Sequence, residues 1–124
     1  MNAGYLATVD AVLRQIELTP GIDRLRGIDG VDDMLKPDMM AAILEQASRF
    51  STERLTPFDR AADREGCALR DGRVVLAPGH EEVWADFRDA GWGAVDIPVA
   101  YGGQGLPAAL AIPVQEMFDR GSVS

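Results

Sequence analysis

Between Pro37 and Ala62 apolar residues return every three or four positions, and this pattern commits the middle of the chain to helix. Met39, Met40, Ile43, Leu44, Ala47 and Phe50 fall on one face, and Leu55, Phe58 and Ala62 extend it. A stripe of that period buries against other helices rather than in a sheet. Pro37 suits the first turn, where its missing N–H removes no bond. Glu45 and Arg49 stand four apart on another face, the spacing of a favourable ion pair. Pro57 interrupts the pattern, because it cannot donate to the carbonyl of Glu53 and its ring crowds that oxygen, at a cost of ~3 kcal/mol in an unbroken helix. The sequence therefore predicts a kink or break near Thr56, with helix resuming to about Asp63. Met39 and Met40 read as core filler.

The flanking segments follow the same logic. Tyr5, Leu6, Val9, Val12, Leu13 and Ile16 predict a helix from about Ala3 to Leu18, stopped by Thr19-Pro20-Gly21. From Ile22 to Lys36 the glycines, and acids at Asp23, Asp29, Asp32 and Asp33, predict a loop with one short turn. Asp71-Gly72 lies between Ala68-Leu69-Arg70 and Arg73-Val74-Val75-Leu76, a strong hairpin signal. Two strands alone are marginal in water, so such a hairpin is expected to lean on the helices. Val83, Trp84, Phe87 and Ala90 mark the next helix, with Glu81 and Glu82 at its positive end and Gly91 after its last turn. A long irregular segment then runs through Pro98 to Gly105. The last helix is predicted to begin near Leu106-Pro107, to turn Leu110, Ala111, Val114, Met117 and Phe118 inward, and to bend at Pro113. The fold class is therefore all-α, a small helical bundle with one short hairpin near Asp71-Gly72.

Charge and cysteine usage narrow the partners. The 124 residues carry 20 acids against 12 bases, a formal net charge of −8. Such a surface is opposed to phosphate backbones and anionic lipid, so neither nucleic acid nor membrane is an expected partner. All the bases except Lys36 are Arg. The lone Cys67 excludes an intramolecular disulfide, a thiolate zinc cluster and a CxxC pair, and reads as an ordinary free thiol. The stretch from Met1 carries no basic leader with an apolar core, so the chain reads as cytoplasmic.

Few residues are placed for chemistry. His80-Glu81-Glu82 begins like a zinc signature, but position 84 is Trp where that motif needs a second His. His80 is the only histidine, so it reads as the surface start of a helix, and no metal site is expected. Gly103-Gln104-Gly105-Leu106-Pro107-Ala108 matches the dinucleotide pattern GxGxxA in form alone. That pattern works after a buried strand inside a βαβ unit, and Pro98 and Pro107 argue against one here.

One set of words goes further. Ala90-Gly91-Trp92, Ile97-Pro98, Tyr101-Gly102-Gly103-Gln104-Gly105-Leu106-Pro107 and Val114-Gln115-Glu116-Met117 resemble the N-terminal region of flavin-dependent acyl-CoA dehydrogenases. Upstream, Ala42-Ile43-Leu44-Glu45, Pro57, Asp63-Arg64-Glu65-Gly66-Cys67 and Pro78-Gly79 fit the same family's first long helices. The resemblance is nearest to the subgroup with an extended N-terminus acting on larger or thioether acyl-CoA. It divides the chain into a helix-and-loop extension, 1–36, and an N-terminal-like helical domain, 37–124.

The resemblance implies an enzyme that oxidises an acyl-CoA at its α,β-carbons with FAD as hydride acceptor. It also implies that the middle β-domain and the C-terminal domain with the catalytic glutamate lie outside this chain. No catalytic residue is carried over, and no cofactor is expected in this chain alone, FAD being implied for the complete enzyme. Tyr101, Gly102, Gly103 and Gln104 resemble the loop beside the substrate cleft, with Gln104 the side chain able to reach a ligand. The expected partners are the missing domains or a complementary subunit. Apolar faces at Val83–Phe87 and Leu110–Phe118 that those partners would cover are expected to make the isolated chain self-associate. The alternative is a stand-alone helical interaction module derived from the same domain.

Overall fold

Three helices meeting along one apolar seam organise the protein, whose computed structural model describes residues 9–122. Helix α1 (Val9–Glu17) buries Val12 and Ile16, the i and i+4 positions of its stripe. The predicted beginning of that helix, with Tyr5 and Leu6, lies outside the described residues. Thr19 Oγ1 donates to the carbonyl of Gln15 at 2.9 Å as the helix ends. Gly21, at φ 88°, then turns the chain into a short helix α2 (Ile22–Arg26), which buries Ile22. A series of turns follows and buries Leu35 completely. Arg26 holds this segment together, its Nη1 reaching Glu17 Oε2 at 3.0 Å and its Nε reaching the Leu35 carbonyl at 3.3 Å.

The predicted interruption at Pro57 takes an unexpected form. Helix α3 (Pro37–Phe50) runs into a π-helical turn, Ser51–Leu55, and then directly into α4 (Thr56–Glu65). The Thr56 N–H reaches back five residues to the Ser51 carbonyl, and Thr56 Oγ1 donates to the same oxygen at 3.1 Å. The wider turn gives the Pro57 ring room that a 3.6-residue turn lacks, so the helical run bulges instead of breaking. Met40, Leu44 and Ala47 are buried as the stripe requires, but Met39 is 46% exposed and is not core filler. The predicted Glu45–Arg49 pair does not form, and among the described residues neither side chain has a salt bridge. On an exposed helix face such a pair gains only a few tenths of a kcal/mol, too little to hold two long side chains.

The Asp71-Gly72 hairpin is present. Strands β1 (Ala68–Arg70) and β2 (Arg73–Val75) pair antiparallel with Leu69 opposite Val74 and Arg70 opposite Arg73. Asp71 at φ 51° and Gly72 at φ 74° make the two-residue turn whose twist matches the strands. Contrary to expectation the hairpin does not lean on the helices, since every residue of both strands is exposed.

Helix α5 (His80–Asp89) follows Gly79, whose φ of 85° sets the entry angle. It lies partly buried, with Val83 and Phe87 turned toward the bundle and Trp84 56% exposed. Two short 3₁₀ turns, Trp92–Ala94 and Val99–Tyr101, lead to α6 (Ala108–Gly121). Helix α6 continues through Pro113 without interruption and buries Leu110, Val114, Met117 and Phe118. These residues are covered by the chain itself, while Ile112 on the same helix is 67% exposed. They share one apolar cluster with Val12 and Ile16 of α1 and Met40 and Leu44 of α3. The leading segment is therefore packed into the same core as the rest. Phe118 also centres an aromatic group, with ring centroids 5.1 Å from Trp92, 5.7 Å from Phe87 and 5.8 Å from Phe50. Among the described residues no helix is long and apolar enough to cross a membrane.

Candidate functional site

Residues 91–106 leave the C-terminal end of α5, project a tip, and return to the core at Leu106. Gly91 starts the excursion at φ 79°, a conformation that disfavours side chains. Trp92 anchors the base, packed edge-on against Phe118. From there the backbone closes on itself. Gln104 N–H donates to the Ala94 carbonyl at 3.0 Å, Leu106 N–H to Val95 at 2.7 Å, and Gly105 N–H to Ile97 at 2.9 Å. Gly103 N–H donates to Pro98 at 3.3 Å, and Tyr101 N–H to the same carbonyl at 2.9 Å.

Of the residues singled out from the sequence, Tyr101 and Gly102 sit at the exposed tip, with Tyr101 83% exposed. Gly103 has a packing role: a Cβ there would lie 2.0 Å from the Ile97 carbonyl oxygen. No side chain fits that gap. Gln104 lies at the base, where its Nε2 donates to the Gly91 carbonyl at 3.2 Å, across thirteen residues. The same nitrogen would be 2.4 Å from a Cβ on Gly91, so that glycine is needed for space as well as for its backbone angle. The four predicted residues thus belong to one closed loop, with two at its tip and two bracing it.

Sequence reasoning missed the other half of the brace, Gly91, Ala94 and Ile97, because their carbonyls carry no side-chain signature. The crowding of Gly102, Gly103 and Gly105 after a proline was the available signal, and it marks a tight return rather than a particular partner.

Two concavities flank the loop. One, of about 430 Å³, has Ile43, Phe50, Trp92 and Leu106 among its walls, with Arg49, Glu53 and Gln104 beside them. The other, of about 720 Å³, opens between α5 and α6 and is lined by Trp84, Trp92, Val95, Leu106 and Ile112 among others. Ile112 is 67% exposed there, and Trp84 stacks on Phe87 with centroids 5.8 Å apart. Neither holds a cluster able to bind a metal, and among the described residues no group of three His, Cys, Asp or Glu side chains is placed to do so. His80 packs against the Phe58 ring at 5.9 Å, away from the loop, and Cys67 is exposed beside the hairpin.

The loop amides also settle the GxGxxA match. A dinucleotide turn presents its N–H groups to a pyrophosphate. Here those of Gly103, Gln104, Gly105 and Leu106 are all given to the chain's own carbonyls, and α6 begins behind Pro107 with no strand before it. The stretch is a structural turn.

Comparison with known proteins places this arrangement. The model of the acyl-CoA dehydrogenase N-terminal domain matches residues 38–124. The chain is also 30% identical over 120 residues to a 3-methylmercaptopropionyl-CoA dehydrogenase of Ruegeria pomeroyi, an alignment covering 97% of this chain and 20% of that protein. The chain spans about a fifth of the length of that relative, and the likeness runs through the leading helices as well as the matched domain. With the helical order, the closed glycine loop and a family match over most of its length, the chain belongs to the acyl-CoA dehydrogenase family as an N-terminal helical domain.

Proposed function

We propose that this chain forms one wall of the acyl-CoA and FAD cleft of a flavin-dependent acyl-CoA dehydrogenase and supplies no catalytic group itself. The observation that carries this reading is the loop at Tyr101–Gln104. It is braced at its base by Gly103 against Ile97 and by Gln104 on Gly91, and exposed at its tip. A braced loop with an exposed aromatic tip suits the rim of a cleft completed by other domains. The likeness to a dehydrogenase named for a methylthio-acyl-CoA supports an acyl-CoA substrate of the thioether class.

The glycine loop does not fit a pyrophosphate cradle. The loop amides that would meet a pyrophosphate are already bonded within the chain. In this reading the cofactor and the catalytic base belong to the middle and C-terminal domains or to a complementary subunit. This chain's own residues exclude water and fix the shape of the rim.

The test is the mass and visible absorption of the protein recovered from its own host. A yellow complex containing a larger dehydrogenase polypeptide is the expected result. A colourless particle made only of the 13.4 kDa chain overturns the reading.

A further inference from the structure

Helix α5 is left half finished by the fold. Val83, Trp84 and Phe87 share one face of it, yet none of its ten residues is buried. An amphipathic helix ordinarily closes such a stripe against a neighbour. Here two cavities follow the seam between α5 and α6 instead. The one of about 720 Å³ has Ala108, Ala111, Ile112 and Gln115 of α6 in its wall. A second, of about 220 Å³, lies between Gln115, Phe118 and Asp119 of α6 and His80 and Val83 of α5. Both are walled by Trp84, Phe87 and Gln115, so they run on as one trough. From Ala108 to Asp119 it follows α6 for about 16 Å at ~1.5 Å per residue.

The trough has the shape of a helix seat. Ala108, Ala111, Ile112 and Gln115 fall at i, i+3, i+4 and i+7 of α6, and His80, Val83, Trp84 and Phe87 repeat that spacing on α5. Two such faces side by side leave a groove for the ridge of a third helix. The alanines allow close approach, and Trp84 and Ile112, 56% and 67% exposed, are the apolar surface to be covered. Charge then selects among helices. Asp96 lines the larger cavity and Asp119 the smaller, while no Arg or Lys lines either. Seven acids and two bases lie between His80 and Ser122, and both bases are paired, Arg88 with Asp89 and Arg120 with Glu116. Arg54 reaches over from the π turn, but onto Asp86. Glu81, Glu82, Asp96 and Asp119 have no salt bridge among the described residues.

We propose that the α5–α6 trough docks a basic amphipathic helix of a partner protein, which lays aliphatic side chains over Trp84 and Ile112 and brings Lys or Arg to Asp96 and Asp119. The two acids reject an acidic helix of the same apolar pattern, because like charges would meet at both cavities. The net charge of −8 equally opposes an anionic lipid surface as the occupant. Tyr101 lines neither cavity, so the seat leaves the loop tip free and stands or falls apart from the cleft reading.

The experiment titrates the chain with two synthetic peptides of about 15 residues, ~22 Å long as helices. Both carry leucines at helical spacing and lack tryptophan; one is flanked by lysines, the other by glutamates. The chain's two tryptophans, Trp84 and Trp92, both line the trough, so their emission reports its occupancy. The lysine peptide should shift that emission to the blue and bind about tenfold or more tightly than the glutamate peptide. Ile112→Gln should weaken the lysine peptide about tenfold. D96K/D119K should reverse the preference between the two peptides. All three positions are exposed, and an unchanged helical circular dichroism signal verifies that each variant folds. No binding of the lysine peptide, equal binding of both peptides, or an affinity indifferent to Ile112→Gln would each overturn the proposal.

Discussion

Ser51 Oγ donates to the Met117 carbonyl at 2.7 Å, joining the π turn to α6 across sixty-six residues with both groups sealed from water. The contact is close because Gly121, one turn further along α6, carries no Cβ. A methyl there would lie 2.3 Å from Ser51 Oγ and 3.1 Å from Leu55 Cβ. The bulge ahead of Pro57 is thus a point of close contact between the two long helical runs.

Gly121→Ala should destabilise the protein by about 1–3 kcal/mol through overpacking. Ser51→Ala should cost about 1 kcal/mol for the lost buried hydrogen bond. The double variant should lose less than the sum, because removing Oγ opens the space the new methyl needs. Urea denaturation of the four proteins measures the coupling, and simple additivity would contradict the packing described.

Within the loop, neighbouring glycines should respond differently. Gly103→Ala forces a Cβ to within 2.0 Å of the Ile97 carbonyl oxygen and 2.5 Å of its carbon, atoms of the backbone that cannot rotate away. A loss of about 3 kcal/mol or more is expected, or local unfolding of residues 91–106. Gly102→Ala meets nothing within 4 Å and suffers only its φ of 85°, about 1–2 kcal/mol. Thermal denaturation of both variants should rank them in that order.

Gln104→Ala removes the bond from Nε2 to the Gly91 carbonyl at an exposed position. Global stability should fall by no more than about 1 kcal/mol. Amide exchange of Gln104 and Leu106, which close the loop base, should accelerate selectively. Unchanged exchange there would show that the side chain does not brace the loop.

The hydrogen bond from Arg26 holds the Glu17 carboxyl below the usual glutamate range, assisted by the charge of the same guanidinium. A depressed folded value stabilises the protein above the ordinary glutamate range, and this contribution is lost as pH falls through the lower, folded value. Acid unfolding of Glu17→Gln should therefore show less pH dependence in that window than the parent. Because Glu17 is at the surface, added salt should narrow the difference.

Periodicity alone determined the long helices and most of their inward faces. Val12 and Ile16, Leu44 and Ala47, and Leu110 and Val114 are buried where a 3.6-residue repeat places them. Asp71-Gly72 determined its hairpin because few other dipeptides accept two positive φ angles in succession. The words around Tyr101–Pro107 identified the family and the loop. What they left open concerned contacts between distant residues. Whether Pro57 breaks or bulges the helix depended on the packing of Ser51 against α6. Which apolar faces stay uncovered depended on α1 and α3 closing over Leu110–Phe118. The brace of Gln104 on Gly91 depended on a backbone carbonyl thirteen residues away, and every residue type presents the same carbonyl. Local sequence fixes dihedral preference and the direction of each side chain; only the folded chain decides which backbone oxygen lies in front of it.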